Sequence, residues 1–176
     1  MWVRDIKLLS PSQFELIVKD YFDRTGISVK KFSVKHNEKL IGMDGEFNID
    51  VTIKYEALGV DFLVLVECKN HSNPIKRELV QCFKEKINSI GANKGIMFSS
   101  AKYQSGAIEY AIKHRIALIQ ISDGGLKYIN RSLDKREIVN NEFMCWLVYV
   151  KDDKVHYNSE GKFIYKFIHD FLLNST

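Results

Sequence analysis

The chain has 176 residues, of which 45% are hydrophobic, so it is long and apolar enough to bury one core without disulfides. Its formal net charge of +4 permits a polyanionic partner, although excess lysine is equally typical of an ordinary solvated surface. Three cysteines without CxxC spacing indicate neither a disulfide framework nor a zinc site, and they favour the reducing cytoplasm. The longest apolar run is too short to span a membrane. No P-loop sequence is present, so we expect no nucleotide cofactor.

The first elements are a helix and three strands. A helix is predicted from about residue 11 to 24, because Ser10 and Gln13 form a capping-box pattern around Pro11. A strand-like stretch at 27–34 and a Gly-containing connection at 42–45 follow. The segment 48–56 alternates, with Ile49 and Val51 expected on one face and Asp50 on the other. The segment 61–69 is apolar on both faces through Val66, which indicates a central buried strand paired with 48–56 as a hairpin.

The remaining elements complete a layered α/β domain. We expect a helix at 75–90, a strand at 94–99, a helix at 105–115 and a strand at 116–121. The order α-β-β-β-α-β-α-β predicts a sandwich in which helices flank a mixed central β-sheet. We expect residues 1–130 to form this domain. Residues 131–176 are expected to add a β-hairpin (143–150 and 155–157) and a helix (163–173), packed on the same domain.

Asp50, Glu67 and Lys69 are the residues that point to chemistry. Glu67 and Lys69 lie two apart near the end of the buried strand and share one face, and Asp50 lies on the paired strand. Two close carboxylates repel unless a cation lies between them, and Mg²⁺ prefers oxygen ligands. The backbone carbonyl of Cys68 offers a third ligand. This set suits phosphodiester hydrolysis, although a salt bridge alone is the ordinary explanation of a Glu-x-Lys pair.

The sequence also resembles a known family. Gly42-x-x-Gly45, Ile49-Asp50-Val51 and Val66-Glu67-Cys68-Lys69, together with the stretches 94–99, 105–108 and 116–119, resemble the Mrr-like restriction endonuclease group of the PD-(D/E)xK superfamily. The resemblance covers roughly residues 10–125. Glu67 stands where many members carry Gln, Ile49 rather than Pro precedes Asp50, as is common in this group, and Glu46 replaces a frequent Asp. These departures remove no catalytic group.

The resemblance implies a restriction-endonuclease-like fold and a metal-dependent DNA endonuclease of restriction, antiviral defence or DNA repair. Asp50 and Glu67 would bind Mg²⁺, for which Mn²⁺ is expected to substitute, and Lys69 would assist attack. An acidic residue of an N-terminal helix often joins the metal site in similar nucleases. Glu15 is the candidate here, and an exposed helix Glu near the positive helix end is the alternative.

Weaker candidates concern DNA binding. Lys35, Lys39, Lys76 and Arg77 could contact a phosphate backbone and Gln81 could line the site, although each is equally explained as a solvated polar residue. A homodimer would supply two active sites for cutting both strands. Two rival functions stay open at this point. One is a catalytically silent nucleic-acid-binding module on a nuclease fold, and the other is an assembly protein with an interface near Trp146.

Overall fold

The computed structural model describes residues 9–25, 30–122, 125–131, 148–151 and 154–157. The helices are α1 (Pro11–Thr25), α2 (Arg77–Ile90) and α3 (Ser105–Lys113). The strands are β1 (Lys30–Ile41), β2 (Glu46–Ala57), β3 (Val60–Lys69), β4 (Lys94–Ser99), β5 (Ala117–Ser122), β6 (Gly125–Asn130), β7 (Val148–Lys151) and β8 (Lys154–Tyr157). None of the helices in these ranges is long and apolar enough to cross a membrane.

Six strands form one mixed sheet in the order β1-β2-β3-β4-β5-β6, and β7 pairs with β8 in a separate hairpin. The pairs β1-β2, β2-β3 and β5-β6 are antiparallel, whereas β3, β4 and β5 run parallel. One apolar cluster packs between the sheet and the helices α2 and α3. A second cluster packs between the opposite face and α1. The predicted α/β sandwich with a mixed central sheet flanked by helices is therefore confirmed.

A capping box begins α1, as the sequence predicts. The backbone N–H of Gln13 donates to Oγ of Ser10 at 3.2 Å, and the N–H of Ser10 donates to Oε1 of Gln13 at 2.9 Å. These bonds satisfy two N–H groups that have no helical partner. Phe14 and Val18 are fully buried against the sheet, and truncating a buried Phe typically costs about 3–5 kcal/mol. Packing and capping thus fix the first turns of α1, which carry Glu15.

Close packing fixes α2 on the other face. A Cβ atom at Gly95 would lie 2.2 Å from Cδ1 of Ile87 and 3.0 Å from the ring of Phe83, so only glycine lets α2 approach β4 this closely. The helix ends at Gly91, whose φ of +74° is a left-handed conformation that glycine adopts without strain. Lys86 is the neighbour of Ile87 on this helix and is therefore held at a defined place above the sheet.

Two differences separate the structure from the predicted elements, and one predicted hairpin is found in part. β1 continues to Ile41, beyond the predicted strand at 27–34, and forms a hairpin with β2. β6 was not predicted, because its short sequence has no clear alternation and follows a turn directly. β7 and β8 lie where part of the C-terminal hairpin was expected. The predicted residues 27–29, 143–147 and 163–173 lie outside the described residues.

Candidate active site

β2 and β3 separate at Asp50, and the side chain of this residue occupies the gap. Their antiparallel register ends at the pair Val51 and Val66, one residue before Asp50 and Glu67 would face each other. Oδ2 of Asp50 instead accepts the backbone N–H of Cys68 at 2.6 Å. Asp50 and Glu67 therefore lie on adjacent antiparallel strands, as predicted, but the carboxylate of Asp50 takes the place of a backbone partner.

The regular alternation of β2 breaks at the same point. Residues two apart on a strand normally share a face. Ile49, however, packs in the cluster beneath α2 and α3, whereas Val51 packs in the cluster beneath α1. On the neighbouring strand Asn37 has a φ of +52°, and the register of β1 and β2 skips the pair that it would form with Asp50. The prediction that Ile49 and Val51 share one face is wrong, because the alternation of β2 is interrupted between them and each packs in a different core cluster.

Glu67 is buried and bound by two lysines. Its side chain is only 7% exposed. Nζ of Lys69 donates to Oε1 at 2.6 Å, and Nζ of Lys86 from α2 donates to Oε2 at 2.9 Å. A buried carboxylate that is not compensated is expensive, so the two ammonium groups explain how β3 keeps a charge at its end. The alternative of a plain salt bridge describes the pairing of Glu67 with Lys69 correctly, yet it does not explain why a second carboxylate, Asp50, lies beside this pair.

The surroundings of Asp50 disfavour its ionised form. Burial, and then the negative charge of Glu67, raise the pKa of Asp50 from 3.8 to about 6, with a further contribution from Glu15. The bond from the N–H of Cys68 opposes this rise but does not cancel it. Burial by itself lowers the pKa of Lys69, but the adjacent Glu67 outweighs that effect and raises it. Lys69 is therefore an ammonium group, and Asp50 is a carboxyl group that lacks a cation of its own.

Glu15 reaches this cluster from α1. Its Oε2 lies 2.8 Å from Nε2 of His36 on β1, and its side chain is 20% exposed. Its charge contributes to the raised pKa of both Asp50 and the buried Cys68 thiol. The predicted direction of the Glu15 carboxylate toward Asp50 stays a prediction, and so does its role as a ligand.

The donor atoms of this cluster are oxygens, the ligand type that a hard divalent cation prefers. The carbonyls of Leu63 and Lys69 accept N–H groups of Asn93 and Ser100, on the β4 side of β3. Because backbone groups alternate along a strand, the carbonyl of Cys68 points to the β2 side, where Asp50 lies. Within the described residues, no three Asp, Glu, His or Cys side chains form a ready metal-binding group. The oxygens of Glu67 are already occupied by lysines, so a cation has to take Oε1 from Lys69.

The weaker DNA-binding candidates make no hydrogen bond to Asp50, Glu67 or Lys69 among the described residues. Nζ of Lys35 donates to Glu38 at 2.8 Å, and Nζ of Lys39 donates to Glu46 at 2.8 Å. The guanidinium of Arg77 lies 5.2 Å from the ring centre of Tyr110 on α3. Two candidates remain: Lys76 is exposed just before α2, and Gln81 is half-buried on α2 and makes no hydrogen bond to the cluster within the described residues.

Two residues that contact the candidate site, Lys86 and His36, were not predicted to do so from the sequence. Lys86 lies three residues after the buried Phe83, on the flank of the apolar stripe of α2, and a lysine at that position needs a partner. The spacing of Lys86 from Phe83 could therefore have predicted that this lysine has a carboxylate partner. His36 was missed because the predicted strand ended at Val34, which left His36 in a connection. No local pattern reveals that β1 continues and brings this ring to α1.

Comparison with known proteins agrees with this geometry. The Mrr catalytic-domain family, described as restriction endonuclease, matches residues 6–123. The type IV methyl-directed restriction enzyme EcoKMrr of Escherichia coli (strain K12) is 28% identical over 103 residues, which make up 58% of this chain and 32% of that enzyme. The chain thus spans about a third of the length of this curated relative.

A solved structure supports the fold. The crystal structure of AF1548, a protein of unknown function, is similar with a TM-score of 0.52 and 20% identity, covering 63% of this chain and 58% of that chain. At this identity the likeness shows the fold alone. The family match, by contrast, covers more than half of the sequence and includes Asp50, Glu67 and Lys69. The chain belongs to the Mrr-like restriction endonuclease family.

Proposed function

We propose that the protein is a Mg²⁺-dependent DNA endonuclease that hydrolyses phosphodiester bonds. The observation that carries the proposal is the cluster at the end of β3, where Asp50 accepts the N–H of Cys68 next to the buried Glu67 and the pKa of Asp50 is raised to about 6. Such a shift marks a carboxylate that lacks a compensating cation, and perturbed carboxylates of this kind cluster at functional sites. A binding module without activity has no use for this costly arrangement.

Four groups would hold the cation: the carboxylates of Asp50 and Glu67, the carbonyl of Cys68 and, from α1, the carboxylate of Glu15. When bound, Mg²⁺ lowers the pKa of a water ligand and neutralises charge on phosphate oxygens, and Mn²⁺ is expected to substitute for it. Lys69 then yields Oε1 of Glu67 and stays beside it. Its ammonium group would orient the attacking water or stabilise charge that develops on the phosphate.

The choice between the two lysines follows from their positions. Lys69 is the neighbour of Cys68 on β3, and the charge of Asp50 contributes to its raised pKa, so it faces the side where the cation would lie. Lys86 reaches the other oxygen of Glu67 from α2. We therefore assign the catalytic ammonium to Lys69 and the retention of Glu67 to Lys86.

DNA is the proposed substrate, with its backbone bound near the start of α2. Lys76 and Arg77 are exposed there, directly after the loop that follows Lys69. Lys35 and Lys39 on the edge strand β1 would add contacts once DNA phosphates replace their carboxylate partners. These residues supply positive charge without reading sequence, so recognition of a particular DNA is not assigned to them.

The wider biological setting is also part of the proposal. We propose that residues 1–130 form the nuclease domain, that residues 131–176 form an extension packed on it, and that a homodimer cuts both strands in the cytoplasm. The role is restriction, antiviral defence or DNA repair. EcoKMrr is named as methyl-directed, and methylated DNA is therefore one substrate to test.

The test is plasmid cleavage with Mg²⁺, with Mn²⁺ and with EDTA, on plain and methylated DNA. Asp50→Asn and Glu67→Gln should abolish cleavage, and Lys69→Met should lower the cleavage rate about a hundredfold. Asp61→Asn, a substitution of an exposed carboxylate on the same strand as Glu67, is the matched control and should cleave normally. Retention of DNA in EDTA together with no cleavage in either metal would instead identify a silent binding module.

A further inference from the structure

His36 has a contact that neither the sequence pattern nor the proposed catalytic set explains. Its Nε2 lies 2.8 Å from Oε2 of Glu15, and both side chains are largely shielded, at 24% and 20% exposure. His36 pairs with Val51 on β2, so its backbone lies beside the residue that follows Asp50. The imidazole therefore bridges the strand next to the site and the helix that carries Glu15.

The backbone of α1 is anchored without His36. Nδ2 of Asn70, the residue after Lys69, donates to the carbonyl of Leu9 at 2.6 Å. Oγ of Ser100 donates to Oδ1 of Asn70 at 2.8 Å, which fixes the orientation of that amide. Together with the capping box and the buried Phe14, these contacts hold the start of the helix on the end of β3. The contact of His36 thus acts on the side chain of Glu15 rather than on the position of the helix.

The side chain of Glu15 needs such a partner. A glutamate has several rotatable bonds, and ordering one costs up to about 2 kcal/mol of conformational entropy. Binding of Oε2 by His36 restricts the carboxylate before any cation arrives. Among the described residues, Oε1 of Glu15 makes no hydrogen bond, and the charge of Glu15 acts on Asp50. One oxygen is held by His36, and the other has no hydrogen bond among the described residues.

We propose that His36 is a positioning residue of the metal site, which holds one oxygen of Glu15 so that the other is directed to the cation shared by Asp50 and Glu67. This inference rests on the proposed function. Residues that hydrogen-bond to metal ligands fix the orientation of those ligands, and their removal typically lowers metal affinity about 10- to 100-fold. His36 itself contributes no ligand.

The experiment is a calorimetric titration of the full chain with Mg²⁺ alone, in the absence of DNA. His36→Ala should weaken Mg²⁺ binding about 10- to 100-fold. His36→Gln should retain most of the affinity, because the amide nitrogen of glutamine can donate from nearly the same place. His114→Ala is the matched control, since this exposed imidazole stacks on Tyr110 of α3 and should bind Mg²⁺ like the parent protein. Thermal melting checks that each variant is folded.

A double substitution separates positioning from a general effect on the fold. If His36 acts through Glu15, His36→Ala should add nothing to the loss caused by Glu15→Gln. Additive losses, or unchanged Mg²⁺ binding by His36→Ala, would overturn the role of His36 while leaving the nuclease proposal intact. A parent protein that neither binds Mg²⁺ nor cleaves DNA would overturn both.

Discussion

Replacing Asp50 by Asn should stabilise the metal-free protein above about pH 6, although it abolishes cleavage. Burial and the charge of Glu67 raise the pKa of Asp50 in the folded chain from 3.8 to about 6. In the unfolded chain this carboxyl group titrates near its ordinary value. The folded state therefore holds the proton more tightly, and the ionised form of Asp50 opposes folding.

The sign and size of the effect follow from proton linkage. Because the folded state retains a proton that the unfolded state has lost, the free energy of unfolding decreases as the pH rises from about 4 to about 6. A shift of about two pKa units at about 1.4 kcal/mol per unit gives at most about 3 kcal/mol. The amide oxygen of the variant still accepts the N–H of Cys68, so little is lost in exchange.

The assay is urea denaturation in EDTA at about pH 4 and about pH 8. The stability difference between Asp50→Asn and the parent protein should change by about 1–3 kcal/mol in favour of the variant as the pH rises. Asp61→Asn, with an exposed carboxylate, should show no such change. Saturating Mg²⁺ should stabilise the parent protein and not Asp50→Asn. An equal stability difference at both pH values would refute the reasoning, because the folded state would then not disfavour ionised Asp50.

Three further outcomes test the surrounding charges. Lys69→Met should lower the plasmid cleavage rate about a hundredfold while retaining Mg²⁺ binding by calorimetry, and a normal rate would return Lys69 to a salt-bridge role. Lys86→Met should destabilise the metal-free protein by about 1–3 kcal/mol in urea, because buried Glu67 loses a partner, whereas Lys84→Met on the same helix should not. Burial alone would raise the pKa of Glu38, but bonds from Lys35, Thr52 and Lys54 outweigh it and lower the pKa to about 2. Glu38→Gln should therefore cost about 1 kcal/mol at neutral pH, after allowance for solvent screening, and this cost should disappear as the pH falls from about 4.5 to about 2; a constant cost would contradict the pairing.

The central strands could be predicted from sequence because burial on both faces leaves a clear record. β4 was predicted with its observed bounds, and β3 to within one residue, since both lie in the middle of the sheet. The edge strands are different. β1 alternates between exposed and half-buried residues through the charged stretch 35–39, which also suits a connection. Such strands are defined by their pairing partner more than by their own composition.

The residues of the proposed site were chosen from the sequence, but the geometry that brings them together was not predicted in full. Asp50, Glu67 and Lys69 follow from an acidic residue and a Glu-x-Lys pair on two strands of one hairpin. The break in the alternation of β2 at Asp50 could not be predicted. It arises because Ile49 packs in one core cluster and Val51 packs in the other, on the opposite face of the sheet. Local alternation contains no information about that competition.

The charges of the proposed site indicate that the metal would bind before DNA. Glu15, Asp50 and Glu67 supply three carboxylates, and Lys69 and Lys86 supply two ammonium groups. When these five groups are ionised, their charges sum to about −1, which repels a phosphodiester. One divalent cation reverses that charge to about +1, which matches the single negative charge of the phosphate. Both lysines bind Glu67, so Asp50 and Glu15 have no lysine bonded to them, and the raised pKa of Asp50 marks the place where the proposed cation is needed. The same imbalance that weakens the metal-free fold would therefore make the binding of DNA at this site dependent on the metal.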